Sequence, residues 1–159
     1  MAPGAMVARM KEDPGDEAQF STVDLDRTEC LELLRTARIG RVVLSVDCLP
    51  VALPVNLAVS GDDVVFSTNV GVKTDAAVAG RVVSVEIDDI DAIYHTGWSV
   101  LATGVARVVT DEAEIAALAS RLRPWAAGPH PFLIKVPSTL ISGRRLTWSA
   151  VQKVEPHRP

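Results

Sequence analysis

Aromatic residues and cysteine are scarce in this sequence, and each shortage narrows the class of protein. Phe, Trp and Tyr together make up 4% of the 159 residues, and the only cysteines are Cys30 and Cys48. Their separation fits no metal-binding motif, so we expect two buried thiols in a reducing compartment. The apolar fraction consists mainly of Val, Ala and Leu, and a core rich in Val favours β-strands.

Excess positive charge and long apolar runs are also missing. The formal net charge is −4 and the sequence pI is about 5.3, which provides no basic face for nucleic acid. The chain has no run of about 18 apolar residues, so no membrane span is predicted. Residues 1–21 lack the apolar centre of a signal peptide, and we therefore expect a cytoplasmic protein.

The remaining composition is that of one globular domain of ordinary size. Hydrophobic residues make up 48% of the chain and charged residues 23%. A domain of about 150 residues buries enough surface for a core without disulfides or metals. We expect a flexible N-terminal tail over residues 1–22, the folded domain over 23–150 and a flexible C-terminal tail over 151–159.

A capping box marks the start of the first helix. Asp26 and Glu29 have the three-residue spacing of this motif and precede an apolar stretch, which predicts a short helix. We expect Gly40 to end this region. The residues expected on the inner face of the helix are Cys30, Leu31 and Leu34.

Short β-branched and apolar segments separated by turn residues predict antiparallel strands in the rest of the domain. We expect turns at 49–50 and 60–63, and a loop over the acidic stretch 88–97. Pro54 indicates an edge position or a bulge, and Gly104 indicates a bulge or a barrel corner. The predicted strands are 41–46, 51–59, 64–68, 81–87, 98–109, 132–136 and 140–148, and the further helices are 73–79 and 113–122.

This order of elements predicts a mainly β fold, a closed or partly closed antiparallel barrel with a few short helices. A nucleotide-binding fold with parallel strands is disfavoured. The sequence has no GxGxxG motif, and most links between strands are too short for parallel crossovers.

One segment combines two hydroxyls, a glycine-containing loop and a lysine: Ser67-Thr68-Asn69-Val70-Gly71-Val72-Lys73. Hydroxyl donors, free N–H groups at the start of a helix and one ammonium group suit a phosphate. On spacing alone, a solvated turn with a surface lysine is the simpler interpretation.

Two further segments carry polar or aromatic groups next to predicted strands. Trp98 and Ser99 begin a long strand, where the indole either stacks on an aromatic ligand or closes the end of the barrel core. Pro54 lies within a strand just before Val55 and Asn56. Backbone groups left unpaired there either meet the polar edge of a ring or belong to an ordinary edge strand.

These segments belong to an ordered set of motifs that runs from residue 23 to residue 148. The motifs are Glu29-Cys30-Leu31-Glu32-Leu33-Leu34, Arg38-Ile39-Gly40-Arg41, Pro54-Val55-Asn56, Val65-Phe66-Ser67-Thr68, Lys73, Gly97-Trp98-Ser99-Val100, Gly104-Val105-Ala106-Arg107 and Ile141-Ser142-Gly143-Arg144-Arg145. With them the chain resembles the pyridoxamine 5'-phosphate oxidase-like family of FMN-binding split β-barrels. More narrowly, it is similar to the short bacterial branch that contains nitroimidazole-reductase-like proteins.

The resemblance implies a cofactor and residues that hold it. Ser67, Thr68 and Lys73 would bind the phosphate of FMN. Backbone groups around Val55 and Asn56 would face the pyrimidine edge of the flavin.

The resemblance also implies a homodimer, because sites in this family lie across the dimer interface. Trp98 and Ser99 would then approach the flavin ring from the second subunit. The same expectation follows from the need to cover an exposed apolar sheet face.

The chain departs from the larger members of the family at two places. They often carry an Arg beside the phosphate-binding Lys, where this sequence has Val72, and one cation fewer weakens phosphate binding. The C-terminal Arg and His pattern that binds pyridoxamine phosphate is not recognisable. We therefore do not expect oxidation of pyridoxamine phosphate.

The resulting functional hypothesis is an FMN-dependent oxidoreductase that passes electrons from a reduced nicotinamide to a small organic acceptor such as a nitroaromatic or a quinone. One alternative is a reductase that uses deazaflavin on the same fold, although the long anionic tail of that cofactor needs more cations than this sequence shows. Another is a non-catalytic flavin- or haem-binding protein, in which His95 would be the axial ligand of the haem.

Three other residues keep two interpretations each. His95 is either a proton donor near the flavin or an exposed loop histidine. Arg144 and Arg145 either hold an anionic substrate or form ion pairs at an interface.

Overall fold

The computed structural model describes residues 18–122 and 132–150. The predicted C-terminal tail and residues 1–17 of the predicted N-terminal tail lie outside this part. The first strand begins at Ala18, earlier than the domain boundary that the sequence indicated. No helix within the described ranges is long and apolar enough to cross a membrane.

Nine strands and three short helices make up the described residues. The strands are β1 (Ala18–Leu25), β2 (Ile39–Val46), β3 (Leu49–Ser60), β4 (Asp63–Thr68), β5 (Val82–Asp91), β6 (Thr96–Val105), β7 (Arg107–Val108), β8 (Phe132–Pro137) and β9 (Leu140–Ala150). The helices are α1 (Arg27–Thr36), α2 (Val72–Val78) and α3 (Glu112–Ala119).

The strands form one antiparallel sheet that curls into a barrel, in the order β1-β9-β6-β5-β2-β3-β4-β8-β7. β6 pairs with β5 and β9, whereas β7, which follows it in the chain, pairs with β8. The run from β6 to β7 therefore joins the middle of the sheet to its far end and closes the barrel. The mainly β split-barrel fold with short flanking helices is confirmed.

Gly104 makes this closure possible. It keeps a regular register with Val83, so it is not a bulge. A Cβ at this position would overlap the carbonyl oxygen of Pro137 on β8. Gly104 therefore lies at the predicted barrel corner, where two backbones approach too closely for any side chain.

The barrel core consists of alternating side chains from the strands, and α1 packs against it. The capping box is present: the Asp26 carboxylate accepts a hydrogen bond from the Glu29 N–H at 2.9 Å, and the Glu29 carboxylate accepts one from the Asp26 N–H at 3.1 Å. The predicted inner face is confirmed, since Cys30, Leu31 and Leu34 are all buried. Burial, with Asp26 and Glu29 nearby, raises the pKa of the Cys30 thiol, which disfavours its reactive thiolate form.

The turn predicted at 49–50 is wrong. Val46 pairs with Leu49, and the two residues between them, Asp47 and Cys48, form the turn with φ values of 50° and 64°. Positive φ at both central residues is what a two-residue hairpin turn requires. Cys48 is therefore exposed at the tip of a hairpin, not buried as expected.

Two further expectations are corrected. Gly40 does not end α1; it lies in β2, where a Cβ would be 2.7 Å from the carbonyl oxygen of Glu86. The acidic stretch is mostly strand, because β5 continues to Asp91 and β6 begins at Thr96. Asp88 is compatible with a strand because it lies on the outer face of the sheet and pairs with Arg41.

Candidate functional site

A pocket of about 330 Å³ opens where β3, β4 and the loop before α2 meet. We call it the β4–α2 pocket. Its lining consists of Pro54, Val55, Asn56 and the continuous segment from Ser67 to Lys73. The structure thus brings together five of the seven residues that the sequence proposed for cofactor binding, which are Val55, Asn56, Ser67, Thr68 and Lys73.

The pocket exists because the ladder between β3 and β4 stops. The two strands pair from Ser60 and Asp63 as far as Leu57 and Phe66. Beyond that point the preceding half of β3, residues 49–56, continues along β2 alone. β4 continues along β8 instead. Among the described residues this half of β3 pairs on one side only, which agrees with the edge position, one of the two features that Pro54 indicated.

The loop between β4 and α2 is held by two threonine hydroxyls. Thr74 accepts a hydrogen bond from the Gly71 N–H at 2.9 Å and lies within donating distance of the carbonyl oxygens of Gly71 (2.9 Å) and Asn69 (3.2 Å). The Thr68 hydroxyl donates to the same Asn69 carbonyl at 3.2 Å. Gly71 has a φ of 153°, which favours glycine.

The Asn69 carbonyl is an acceptor within this loop. It accepts a hydrogen bond from the Thr68 hydroxyl, and the single proton of the Thr74 hydroxyl goes either to it or to the nearer Gly71 carbonyl. Thr74 was not among the residues predicted from the sequence. It is the third residue of α2, but Gly71 has no side chain that could complete a capping box, so the local sequence carries no clear signal for it.

Lys73 carries the charge of the β4–α2 pocket. Its side chain is half-buried, and this burial lowers the pKa of its ammonium group. None of the residues that line the pocket is Asp or Glu. Within residues 18–122 and 132–150, no carboxylate lies close enough to form an ion pair with Lys73. A cation with this burial and no counter-charge attracts an anion.

Trp98 and Ser99 do not line the β4–α2 pocket. Neighbours on a strand point to opposite faces of a sheet: Trp98 packs against the barrel core, whereas Ser99 lines a separate groove of about 610 Å³ on the outer face. Their assignment to the flavin ring stays a prediction, and it requires that a second copy of the chain supplies them.

The outer-face groove contains both signs of charge. Glu86 and Arg144 line it together with Asp24. Arg41 forms ion pairs with Glu86 (2.9 Å) and Asp88, and Arg144 forms one with Asp24 at 3.3 Å. We call these five residues, Asp24, Arg41, Glu86, Asp88 and Arg144, the charged belt.

The remaining candidates lie outside the β4–α2 pocket. His95 is exposed in the turn between β5 and β6, with a φ of 53°. This position agrees with the second of its two interpretations, an exposed loop histidine. Arg145 is 3.7 Å from Glu29 across the α1–β9 contact. Arg144 belongs to the charged belt described above.

The comparisons with known proteins agree with this architecture. The profile of the family described as pyridoxamine 5'-phosphate oxidase matches residues 26–145. An uncharacterized protein of Mycobacterium tuberculosis is 33% identical over 151 residues, which is 92% of this chain and 95% of that protein.

Two solved structures are also similar. The FAD binding protein from Mycobacterium smegmatis has 34% sequence identity and a TM-score of 0.60, over 79% of this chain and 98% of that one. A FAD-binding protein from Mesorhizobium loti has a TM-score of 0.68 over 81% of this chain and 99% of that one. At its 23% identity the likeness shows the fold alone.

The family match includes every strand from β2 to β8 and every residue of the β4–α2 pocket. The relative from Mycobacterium tuberculosis extends the similarity to nearly the whole length of both chains. The chain belongs to the pyridoxamine 5'-phosphate oxidase family.

Proposed function

We propose that this chain binds FMN, either free or as the flavin half of FAD, with the flavin phosphate in the β4–α2 pocket. The observation that carries the proposal is Lys73, a half-buried ammonium group without a carboxylate partner among the described residues, in a pocket whose lining is otherwise uncharged.

The other lining groups fit a phosphate as well. Ser67 provides a hydroxyl at the end of β4, on the same pocket as Lys73. The hydroxyl of Thr68 donates to the Asn69 carbonyl and would have to rotate to donate to a phosphate. Charge-assisted hydrogen bonds of the kind that an ammonium makes to a phosphate contribute about 1.5–3 kcal/mol each. Because α2 has only seven residues, we assign the charge of the site to Lys73 and not to the helix end.

The isoalloxazine ring would lie towards β3. Val55 and Asn56 line the same pocket in the half of β3 that pairs on one side only. A flavin bound in the pocket with its phosphate at Lys73 would bring the polar edge of the ring to this segment. This supports the expectation that the pyrimidine edge of the flavin meets these two residues.

We propose an oxidoreductase activity for the flavin-bound protein. A flavin held by Lys73, Ser67 and the β3 segment at Val55 and Asn56 would supply the redox chemistry, the transfer of two electrons from a reduced nicotinamide, which would be oxidised, to a small organic acceptor, which would be reduced. The chain itself binds the phosphate, orients the ring along β3 and shields it from water. The solved relative from Mycobacterium smegmatis that binds FAD supports a flavin in preference to deazaflavin or haem.

We propose further that the working form is a homodimer with Trp98 and Ser99 at the shared site. The outer face of the sheet exposes apolar side chains near one end of β5, β6 and β9, and exposed apolar side chains that lie together indicate an interaction surface. These side chains are Val82, Leu101, Val105 and Leu140. Ser99 lies on the same face.

The absorption spectrum of the freshly purified protein tests the cofactor. We expect flavin bands, and the ligand released by heat should have the mass of FMN or FAD. A haem or deazaflavin spectrum would keep the fold and overturn the proposed cofactor. A colourless protein that also fails to bind added FMN and FAD would overturn the proposed function itself.

Sedimentation at micromolar concentration tests the dimer. We expect twice the 17.0 kDa of one chain. A monomer that still binds flavin with full affinity would show that Trp98 and Ser99 are not part of the site.

A further inference from the structure

We infer that the outer face of the sheet binds a second copy of this chain in one orientation, which is fixed by charged side chains on β2 and β5. This inference rests on the proposed function, because it specifies how the two subunits of the proposed homodimer meet. It is carried by a row of four side chains that is complementary to itself.

The row runs across four neighbouring strands, β3, β2, β5 and β6. Its members are direct register partners: Pro54 pairs with Arg41, Arg41 with Glu86, and Glu86 with Leu101. Register partners point to the same face of a sheet, so all four side chains lie on the outer face. Pro54 and Arg41 are exposed, and Glu86 and Leu101 are partly exposed. In this order the row presents an apolar, a positive, a negative and an apolar group.

The same row read in reverse order is its own complement. A two-fold axis that runs parallel to the strands, between β2 and β5, places the rows of two copies over each other in opposite directions. Arg41 then faces Glu86 of the second copy, Glu86 faces Arg41, and Leu101 faces Pro54. Packed sheets lie about 10 Å apart, a gap that an arginine and a glutamate side chain can span together.

Other axes bring like charges together. An axis perpendicular to the strands would set β2 over β2 and β5 over β5, so that equal charges gather on each strand. An axis along β5 would set Glu86 against its own copy, and an axis along β2 would do the same with Arg41. Like charges that face each other are strongly disfavoured at an interface. The charges therefore select the orientation of the two copies, more than they add affinity.

This orientation also brings residues of the proposed cofactor site together. Ser99 and Asn56 lie two residues along their strands from Leu101 and Pro54, on the same face, since side chains alternate along a strand. Ser99 of one copy would therefore lie over Asn56 of the other, which lines the β4–α2 pocket. The charges of the row alone define the axis, and its consequence for Ser99 agrees with the shared site proposed above.

A charge-swapped chain tests the orientation and keeps the ion pairs within each chain. Arg41→Glu, Glu86→Arg and Asp88→Arg together reverse the sign of every partner, so the pairing inside the chain is retained. We expect this variant to form a homodimer with itself. In an equal mixture with isotope-labelled wild type, mixed dimers should make up less than about one tenth of the dimers in native mass spectra, because like charges would face each other.

Asp24→Arg with Arg144→Asp is the matched control, since it swaps another ion pair of the outer face, on β1 and β9. These strands lie away from the inferred axis, so we expect free mixing with the wild type, with about half of the dimers mixed. An axis along β6 would instead set Arg144 against Asp88 of the second copy. Exclusion of this control from mixed dimers would therefore overturn the inferred axis.

Cross-linking locates the facing residues directly. In a Cys48→Ser background, which removes the exposed thiol, Leu101→Cys and Pro54→Cys together should give a covalent dimer with a short bismaleimide. Within one chain the two positions are three strands apart, about 14 Å at the usual strand spacing, which is too far for this reagent. Chains with only one of the two cysteines are the controls and should stay uncrosslinked. A double variant that sediments as a dimer and is not cross-linked would contradict the inference.

Sedimentation of the wild type separates failure of this inference from failure of the proposed homodimer. A wild-type monomer would overturn the homodimer itself, and this interface with it. A wild-type dimer that mixes freely with the charge-swapped chain would overturn the inferred orientation and leave the proposed homodimer standing.

Discussion

The β4–α2 pocket and the charged belt differ in whether their cationic side chains have carboxylate partners. In the belt, Arg41 lies between Glu86 and Asp88, and Arg144 pairs with Asp24. In the pocket, Lys73 is more enclosed than either arginine and has no carboxylate partner within the described residues. Two opposite charges that already form an ion pair attract a charged ligand only weakly. A single charge in an otherwise uncharged pocket keeps its attraction for a ligand of opposite charge.

This difference shows how to find a binding site among many charged residues. The number of charges favours the belt, three of whose five residues line the larger groove. The β4–α2 pocket differs in that Lys73 has no counter-charge among the described residues, although its partial burial makes an unpaired charge unfavourable. A bound anion would offset this cost, so the smaller pocket is the better candidate for an anion site.

The largest loss of flavin affinity is expected when Lys73 is given a carboxylate neighbour, as the arginines of the charged belt already have. Val72→Glu places a carboxylate beside Lys73, so it both neutralises the ammonium group and repels a phosphate. We expect the affinity for flavin to fall by about a hundredfold, from the loss of one charge-assisted contact plus like-charge repulsion. Fluorescence titration measures the change.

Val78→Glu is the matched control for this prediction, because it adds the same charge to the exposed far end of α2. Equal losses in the two variants would mean that net charge, not the position beside Lys73, governs flavin binding.

The pH dependence of binding should be the next largest effect. Because burial lowers the pKa of Lys73, its ammonium group loses the proton at a lower pH than an exposed lysine does. We expect flavin affinity to fall as the pH rises through this lowered pKa. Titrations of the wild type and of Lys73→Met from neutral to alkaline pH would show a decline in the wild type and a flat profile in the variant. Parallel profiles would remove Lys73 from the site.

Loss of the Lys73 proton should also affect the ligand-free protein, whose stability is expected to rise with pH while flavin affinity falls. The folded-state pKa of Lys73 lies below its unfolded value, so between the two values the unfolded chain binds more protons. The free energy of unfolding should therefore rise with pH across that interval, relative to Lys73→Met.

The smallest expected effect is that of disrupting the belt. Arg41 is half-exposed, and exposed ion pairs contribute little to stability. Arg41→Ala should lower the free energy of unfolding only slightly in a denaturant titration, less at high salt, and leave flavin affinity unchanged. A large loss of flavin affinity would show that the belt, too, belongs to the binding site.

Local signals in the sequence predicted those parts of the fold that depend on neighbouring residues. Asp26 and Glu29 form their capping box, and the turn between Ser60 and Asp63 connects β3 to β4. The segment from Ser67 to Lys73 lines one pocket because it is nearly continuous in sequence. Val55 and Asn56 could be joined to it only through the family resemblance.

The errors arose where distant contacts decide the structure. Gly40 was interpreted as a helix end, but its lack of a side chain serves the close approach of Glu86, more than 40 residues away. The acidic stretch was interpreted as a loop, although Asp88 forms an ion pair with Arg41 on the neighbouring strand. Neither contact leaves a pattern in the local sequence, because strand register is set by the whole barrel.

Lys73 is proposed to bind the flavin phosphate because it has no carboxylate partner in the part of the chain that the structure describes, and one pair of variants tests this proposal directly. Lys135 is the matched control, since its ammonium group already pairs with Glu114 and Asp63. In flavin titrations we expect Lys73→Ala to lose about tenfold to a hundredfold in affinity and Lys135→Ala to retain the wild-type value. Equal affinities of the two variants would contradict the account.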